Sequence, residues 1–320
     1  MKRVIKINFT DFWEGFNKKN NFFYNLLTFR YVVEISDTPD FLFYSCYGSK
    51  YLNYKCTRIF YASENIRPDF LRCDYAISFD YIKRNNHFRL PLYHLYIVDG
   101  KNYYERLTKK ITREEAANLW KQKTKFCCML VSNPNSKERI NFFNALSKIK
   151  KVDSGGAYLN NIGYKIEDKL EFIKDYKFVF AFENSSYPGY TTEKILEPLV
   201  AHCIPIYWGN PLIEKDFNVA CFVNAGNYGD YETLIEKLIE IDERDEVAAD
   251  MIVQQKFAEN APDHLLVVKE VSNFLNKIIN ASRKLPVAQN KLIQAIVSGK
   301  SIVKKIKSKL LKRVSIFLYA

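Results

Sequence analysis

Residues 178–211 read FVFAFENSSYPGYTTEKILEPLVAHCIPIYWGNP. Residues 178–182 are continuously apolar, as a strand covered on both faces is. Residues 192–203 then predict a helix, and 204–208 form a second apolar run. Strand, helix and strand in so short a span require the strands to be parallel. The same alternation extends to either side. Residues 126–131 predict a strand, Ile140, Phe143, Leu146 and Ile149 mark one face of a helix, and 221–223 predict a further strand. Helical segments follow at 233–241 and 246–255. The expected architecture is an α/β Rossmann-like domain with a parallel sheet covered on both faces.

The first 110 residues are less regular. Residues 4–9, 58–61 and 75–79 predict strands, and 21–30 a helix or an irregular aromatic segment. Thr112 and Glu115 form a capping box that opens a helix through Trp120. A chain of 320 residues exceeds what one core usually organises. The expected division is 1–122, 123–265 and a C-terminal segment 266–320.

Charge separates the body from its end. The chain has 48 Lys and Arg against 36 Asp and Glu, yet no acidic residue follows Glu270. Eleven of the basic residues lie beyond that point, so the first 270 residues are nearly neutral. A near-neutral body argues against nucleic-acid binding and assigns any anionic partner to the tail. Within it Val303, Ile306, Leu310, Val314 and Phe317 recur at steps of three and four, with Lys305, Lys309 and Lys312 on another face. That pattern predicts a basic amphipathic helix suited to an anionic membrane surface, with packing on the body as the alternative.

Other classes are excluded. No apolar stretch approaches the roughly 20 residues of a membrane span, and Lys6 and Asp11 interrupt any signal-peptide core. The expected location is cytoplasmic, at the inner face of the membrane. Seven cysteines form no CxxC pair and four histidines no HxxxH, so neither a disulfide framework nor a metal site is expected. GxGxxG and GxxxxGK[ST] are absent too, which demotes the simple dinucleotide and phosphate-loop readings.

In such sheets ligands bind beyond the carboxyl ends of the strands. Three strand-to-helix turns there carry unusual residues: Ser132-Asn133-Pro134-Asn135 with Arg139, then residues 183–194, then Gly209-Asn210-Pro211. Lys194 is the wrong sign for a first helical turn on dipole grounds, which a bound phosphate would explain. Glu193 beside it suits a ribose diol. On composition alone, an ordinary N-terminal glutamate beside a solvated lysine is the simpler account.

These residues closely resemble a known pattern. Phe182-Glu183-Asn184-Ser185, Tyr190-Thr191-Thr192-Glu193-Lys194-Ile195 and Ile204-Pro205-Ile206-Tyr207-Trp208-Gly209-Asn210-Pro211 resemble the donor-binding signature of the α-1,3/4-fucosyltransferases, the bacterial members above all. Val131-Ser132-Asn133-Pro134-Asn135 with Arg139 is similar to the family's first donor-domain loop. Residues 58–65, ending Ala62-Ser63-Glu64-Asn65, with 74–80, resemble its acceptor-domain segment, although Ser63 stands where the family usually has Gly.

The resemblance implies a GT-B glycosyltransferase: two Rossmann-like domains facing a cleft, an acceptor-binding N-terminal half and a GDP-fucose-binding C-terminal half. It further implies inverting, metal-independent transfer of L-fucose to an N-acetyllactosamine-like glycan, 1,3- or 1,4-linked, in surface polysaccharide or lipopolysaccharide synthesis. No cofactor is implied beyond the donor substrate. Glu64 takes the position of the base, with Glu183 the alternative. Arg139 and Lys194 take the positions that hold the diphosphate, Tyr190 and Glu193 those that hold the nucleoside, and Asn184 lines the donor pocket. Ser132 and Asn133 are further donor-loop candidates. Rival readings are a GT-B enzyme with another nucleotide sugar and a silent, membrane-held scaffold.

Overall fold

The computed structural model describes residues 2–281 and 285–299. By its contacts the chain divides into two units. The first holds Met1–Ser78, Ile82–Leu90 and the chain from Val268; the second holds Phe79–Tyr81 and Pro91–Val267.

The first unit is built on β1 (Val4–Thr10), α1 (Phe22–Thr28), β2 (Val32–Ile35), β3 (Phe41–Tyr44), β4 (Thr57–Tyr61), β5 (Tyr75–Ser78) and β6 (His87–Arg89). Its strands are all parallel, in the order β2-β1-β3-β4-β5-β6. The chain leaves β1 first to one side and then returns to the other, so the topological switch lies between β1 and β3. Ile5, Ile7 and Phe9 of β1 are buried, as alternation in a covered strand requires. The segment 21–30 resolves to a helix because the Asn21 side chain caps it, accepting the Tyr24 N–H at 3.0 Å.

The second unit contains α2 (Tyr93–Asp99), α3 (Tyr103–Thr108), α4 (Arg113–Lys121), β7 (Lys125–Met129), α5 (Lys137–Leu146), β8 (Val152–Ser154), α6 (Lys169–Ile173), β9 (Tyr176–Phe182), α7 (Leu196–Val200), β10 (Ile204–Trp208), β11 (Val223–Asn224), α8 (Tyr231–Glu243) and α9 (Asp245–Val253). Its sheet, also all parallel, has the order β11-β10-β9-β7-β8, with the switch between β7 and β9. Phe178, Ala181, Ile204 and Ile206 are fully buried, as the continuous apolar runs predict.

The boundary falls near Leu90 rather than at residue 122. The capping box opens α4 as expected, but Trp120 then sits edge-on to Phe178 and donates its indole N–H to Asp245 at 3.0 Å. Those contacts fasten α4 to the second unit's core. At the other end, α10 (His264–Asn280) carries the chain back to the first unit. Asn280 donates to Tyr31 Oη at 2.9 Å, Arg30 donates to Asn273 at 3.0 Å, and Phe274 packs on Tyr75 and Phe88.

Three local expectations change. The helix expected from residue 192 begins only at Leu196, which puts Pro198 in its first turn, where no hydrogen bond is lost and no kink is needed. The buried face of α5 is Arg139, Phe142, Phe143 and Leu146, while Ile149 lies beyond the helix and is exposed. Residues 219–221 form a 3₁₀ turn, so the fourth strand is Val223–Asn224. Residues 291–299 are helical, Ser298 and Gly299 included. The amphipathic pattern at 303–317 lies outside the described residues. No described helix is long and apolar enough to cross a membrane.

Candidate active site

The loops after β7 and β9 flank the second unit's switch point, where an open α/β sheet presents its ligand site. Arg139, on α5, is fully buried and joins the two loops. Its guanidinium donates to Phe182 O at 2.7 Å, to Asn184 Oδ1 at 3.0 Å and to Asn133 O at 3.2 Å. Burial lowers its pKa, while Glu183 and Glu193 oppose that shift. An arginine placed so is a rigid fork for the loop backbones. Ser132 and Asn133 lie exposed on the β7 loop, and Asn133 Oδ1 accepts the Asn135 N–H at 2.9 Å to shape the turn.

Glu183 closes the loop from its other end. Its carboxylate is wholly buried, accepting the Thr192 N–H at 2.7 Å on one oxygen and the Thr192 hydroxyl at 2.8 Å on the other. Burial raises its pKa, against the charge of Lys194 and the two Thr192 bonds. With both oxygens so engaged, Glu183 is suited to holding the loop rather than to taking a substrate proton.

The same clamp explains why α7 starts late. The Thr192 N–H is bound to Glu183, and the first helical bonds run instead to Glu193 O, from Leu196 N–H at 2.9 Å and Glu197 N–H at 3.2 Å. Lys194 therefore lies in the turn ahead of a five-residue helix. So short a helix has little dipole, and the charge a phosphate would meet is that of Lys194 itself. Its ammonium lies 3.1 Å from Thr192 Oγ1, 3.2 Å from Glu193 Oε1 and 3.4 Å from Glu183 Oε2. Burial opposes that charge, but the two carboxylates prevail and raise the Lys194 pKa. The Glu193 pKa is lowered: burial acts upward, and Lys194 and hydrogen bonds outweigh it. Both side chains stay about one-fifth exposed, so the pair is reachable.

Composition gave no role to the layer beneath. Asn210, buried, takes the Gly189 N–H at 2.7 Å and the Leu212 N–H at 2.9 Å on its Oδ1, and donates to Thr191 Oγ1 at 3.1 Å. Its own N–H donates to the buried Tyr207 hydroxyl at 2.8 Å. Gly189 has φ +86°, and a Cβ there would lie 2.4 Å from Phe79 O, so only glycine fits. Tyr190 is buried against Phe79, with ring centroids 5.1 Å apart. Polar residues within an otherwise apolar run were the signal that could have marked this layer.

Glu64 lies in the first unit, after β4. Tyr47 Oη donates to its Oε1 at 2.9 Å. Ser63 needs no glycine backbone: its φ is not positive, and its hydroxyl meets Ser45 Oγ at 2.6 Å.

The chain is similar to known proteins along both halves. Residues 7–96 match the α-(1,3)-fucosyltransferase FucT N-terminal domain, and 120–251 the C-terminal part of glycosyltransferase family 10 (fucosyltransferase). The α-(1,3)-fucosyltransferase FucT of Helicobacter pylori is 33% identical over 267 residues, 72% of this chain and 56% of that protein. A putative fucosyltransferase of Acanthamoeba polyphaga mimivirus is 36% identical over 144 residues, 41% of this chain and 24% of that protein. The chain thus spans only part of the length of these relatives. A crystal structure of an α1,3-fucosyltransferase with GDP superposes with a TM-score of 0.74 at 27% identity, covering 89% of this chain and 93% of that one. A second, with GDP-fucose, gives the same values. With both halves matched in order and the α/β fold shared, this chain belongs to the glycosyltransferase family 10 fucosyltransferases.

Proposed function

We propose that the protein transfers L-fucose from GDP-fucose to a hydroxyl of an N-acetyllactosamine-like glycan, forming an α-1,3 or α-1,4 linkage with inversion. The observation that carries this reading is the reachable Lys194–Glu193 pair, held by Glu183 and Thr192 at the second unit's switch point. Lys194 sits where the charge of a departing diphosphate would be met, and Glu193 is a carboxylate acceptor for a ribose diol. Arg139 keeps both loops and Asn184 in register beneath them.

In the proposed step Glu64 takes the acceptor hydroxyl proton as that oxygen attacks the anomeric carbon. The bond from that carbon to the diphosphate oxygen breaks, and GDP leaves with the electron pair. Because Lys194 supplies the neutralising charge, no metal is required. Transfer that is lost in EDTA and restored by manganese or magnesium would refute that point.

Incubation with GDP-fucose and a panel of type 1 and type 2 chains, free and lipid-linked, read by mass spectrometry, tests the whole reading. A mass increase of one deoxyhexose on one of these acceptors supports it. Binding of UDP-sugars or GDP-mannose in preference to GDP-fucose, by calorimetry, would overturn the donor assignment.

We also propose that the basic tail holds the protein to an anionic membrane surface, where lipid-linked glycans are built. The support is the sequence pattern, with each Lys or Arg near the headgroups contributing roughly 1 kcal/mol. A chain ending near Ala281 should keep activity on soluble acceptors and lose salt-sensitive sedimentation with anionic liposomes. Equal sedimentation by both chains would refute the membrane role.

A further inference from the structure

The first unit has a switch point of its own, between β1 and β3, and the loops there carry exposed aromatic rings. The loop after β1 is fixed by Asp11, held at φ +58°. Its carboxylate accepts the Lys50 N–H at 3.0 Å and the Tyr51 N–H at 2.8 Å, and its carbonyl accepts the Tyr47 N–H at 2.9 Å. A Cβ on Gly48 would lie 2.3 Å from an Asp11 carboxylate oxygen, so a larger residue there would have to displace that side chain and its two hydrogen bonds. The loops bearing Trp13 and Tyr47 are thereby locked together.

Trp13 is ordered by its neighbours. Its ring stands edge-on to Phe12 at 5.7 Å and to Phe16 at 5.0 Å. Phe12 in turn stacks on Phe16 at 4.1 Å and lies parallel to Tyr61 at 6.2 Å, three residues before Glu64. Despite these contacts Trp13 remains 43% exposed, and Tyr47 49%. A single exposed ring needs no explanation. Two rings on locked loops at a switch point, one of them bonded to the carboxylate assigned as base, place aromatic and polar groups at the same end of the sheet.

We propose that Trp13 and Tyr47 form the platform for the acceptor sugar adjoining the one that reacts, the galactose ring of an N-acetyllactosamine unit. One face of galactopyranose presents three C–H groups, which suit an aromatic face, and its hydroxyls on the other face stay in water. Tyr47 has a second task as a positioning residue, orienting Glu64 through its hydroxyl. This deepens the transferase reading above and rests on it. Tyr93 cannot serve in this way: it is buried against Phe217, and its hydroxyl donates to Asp216 at 3.3 Å.

The test compares N-acetyllactosamine with N-acetylglucosamine as acceptors. In Trp13→Ala the ratio of kcat/KM for the disaccharide over the monosaccharide should fall about tenfold, with GDP affinity and thermal midpoint unchanged, and Trp13→Phe should recover most of it. Tyr47→Phe keeps the ring, so it should lower kcat with KM for the disaccharide held, leaving that ratio near wild type. An unchanged ratio in a folded Trp13→Ala protein overturns the platform. Should the wild-type protein transfer no fucose at all, the transferase reading fails. The platform is then judged by tryptophan fluorescence on titration with N-acetyllactosamine. A response abolished by Trp13→Phe supports it; no response in the wild type overturns it.

Discussion

Glu183 and Thr192 meet through two hydrogen bonds, one oxygen of the buried carboxylate taking the threonine N–H at 2.7 Å and the other its hydroxyl at 2.8 Å. Nine residues apart in sequence, they close the loop that carries Tyr190 and fix the turn from which Lys194 projects. The wall behind Glu183 is Gly209, where a Cβ would lie 2.4 Å from Glu183 Cγ. The clamp thus depends on three positions at once.

Glu183→Gln should break the clamp while keeping its shape. The new amide turns a donor toward Thr192 or Lys194, where only acceptors fit. The expected loss is about 2–3 kcal/mol of stability, with a raised KM for GDP-fucose. Urea unfolding and donor titration would show it; wild-type values in both would sink the assignment.

Lys194→Ala should cost about 2–4 kcal/mol in kcat/KM, as removal of one preorganised charge at a developing anion does. Arg139→Ala should behave differently. It strands the carbonyls of Asn133 and Phe182, so its main signature is a lowered thermal midpoint with weaker GDP binding. Were Arg139→Ala fully stable and Lys194→Ala fully active, the donor site would have to lie elsewhere.

Glu64→Gln keeps the hydrogen bond from Tyr47 but cannot accept a proton near neutrality. Its kcat should fall about 10²–10⁴-fold, with GDP-fucose affinity hardly altered, since Glu64 belongs to the first unit. A variant that loses donor binding and retains kcat would contradict the base role.

His202 ends the turn after α7 at φ +54°, its Nδ1 buried with no hydrogen-bond partner. Burial, aided by Lys256, Lys123, Arg106 and Lys109, lowers its pKa to about 4. Between the unfolded value of 6.5 and that point only the unfolded chain takes up the proton, so this residue's contribution to stability falls as pH drops. The ring is partly exposed, so the loss should reach about 2 kcal/mol at most. Asn tolerates the left-handed backbone, and His202→Asn should lose less stability than wild type between pH 7 and pH 4. Parallel stability curves for the two proteins would show that His202 does not titrate there.

Much of the candidate site was legible as residues without their arrangement. Arg139, Glu193 and Lys194 stand on two of the three strand-end turns that a parallel sheet exposes to ligand, and the family resemblance adds Asn184. Their division of labour was not legible. The resemblance gives Arg139 a position that holds the diphosphate, and its three bonds to loop acceptors are visible only in the fold. Lys194 read as a first-turn residue, and only the Thr192 bond to Glu183 shows that the helix has not yet begun.

The sequence by itself determined the parallel α/β class, because continuous apolar runs separated by helical periodicity admit little else, and it determined the family through residues 182–211. Only tertiary structure decided where the units divide. Trp120 finds its partners Phe178 and Asp245 across 58 and 125 residues of chain, and no local pattern announces which core a helix will join. The exposure of Trp13 and the burial of Tyr93 were also beyond the sequence. Both are aromatic residues near strand or helix ends, and burial, which follows from packing between distant segments, is what separates them.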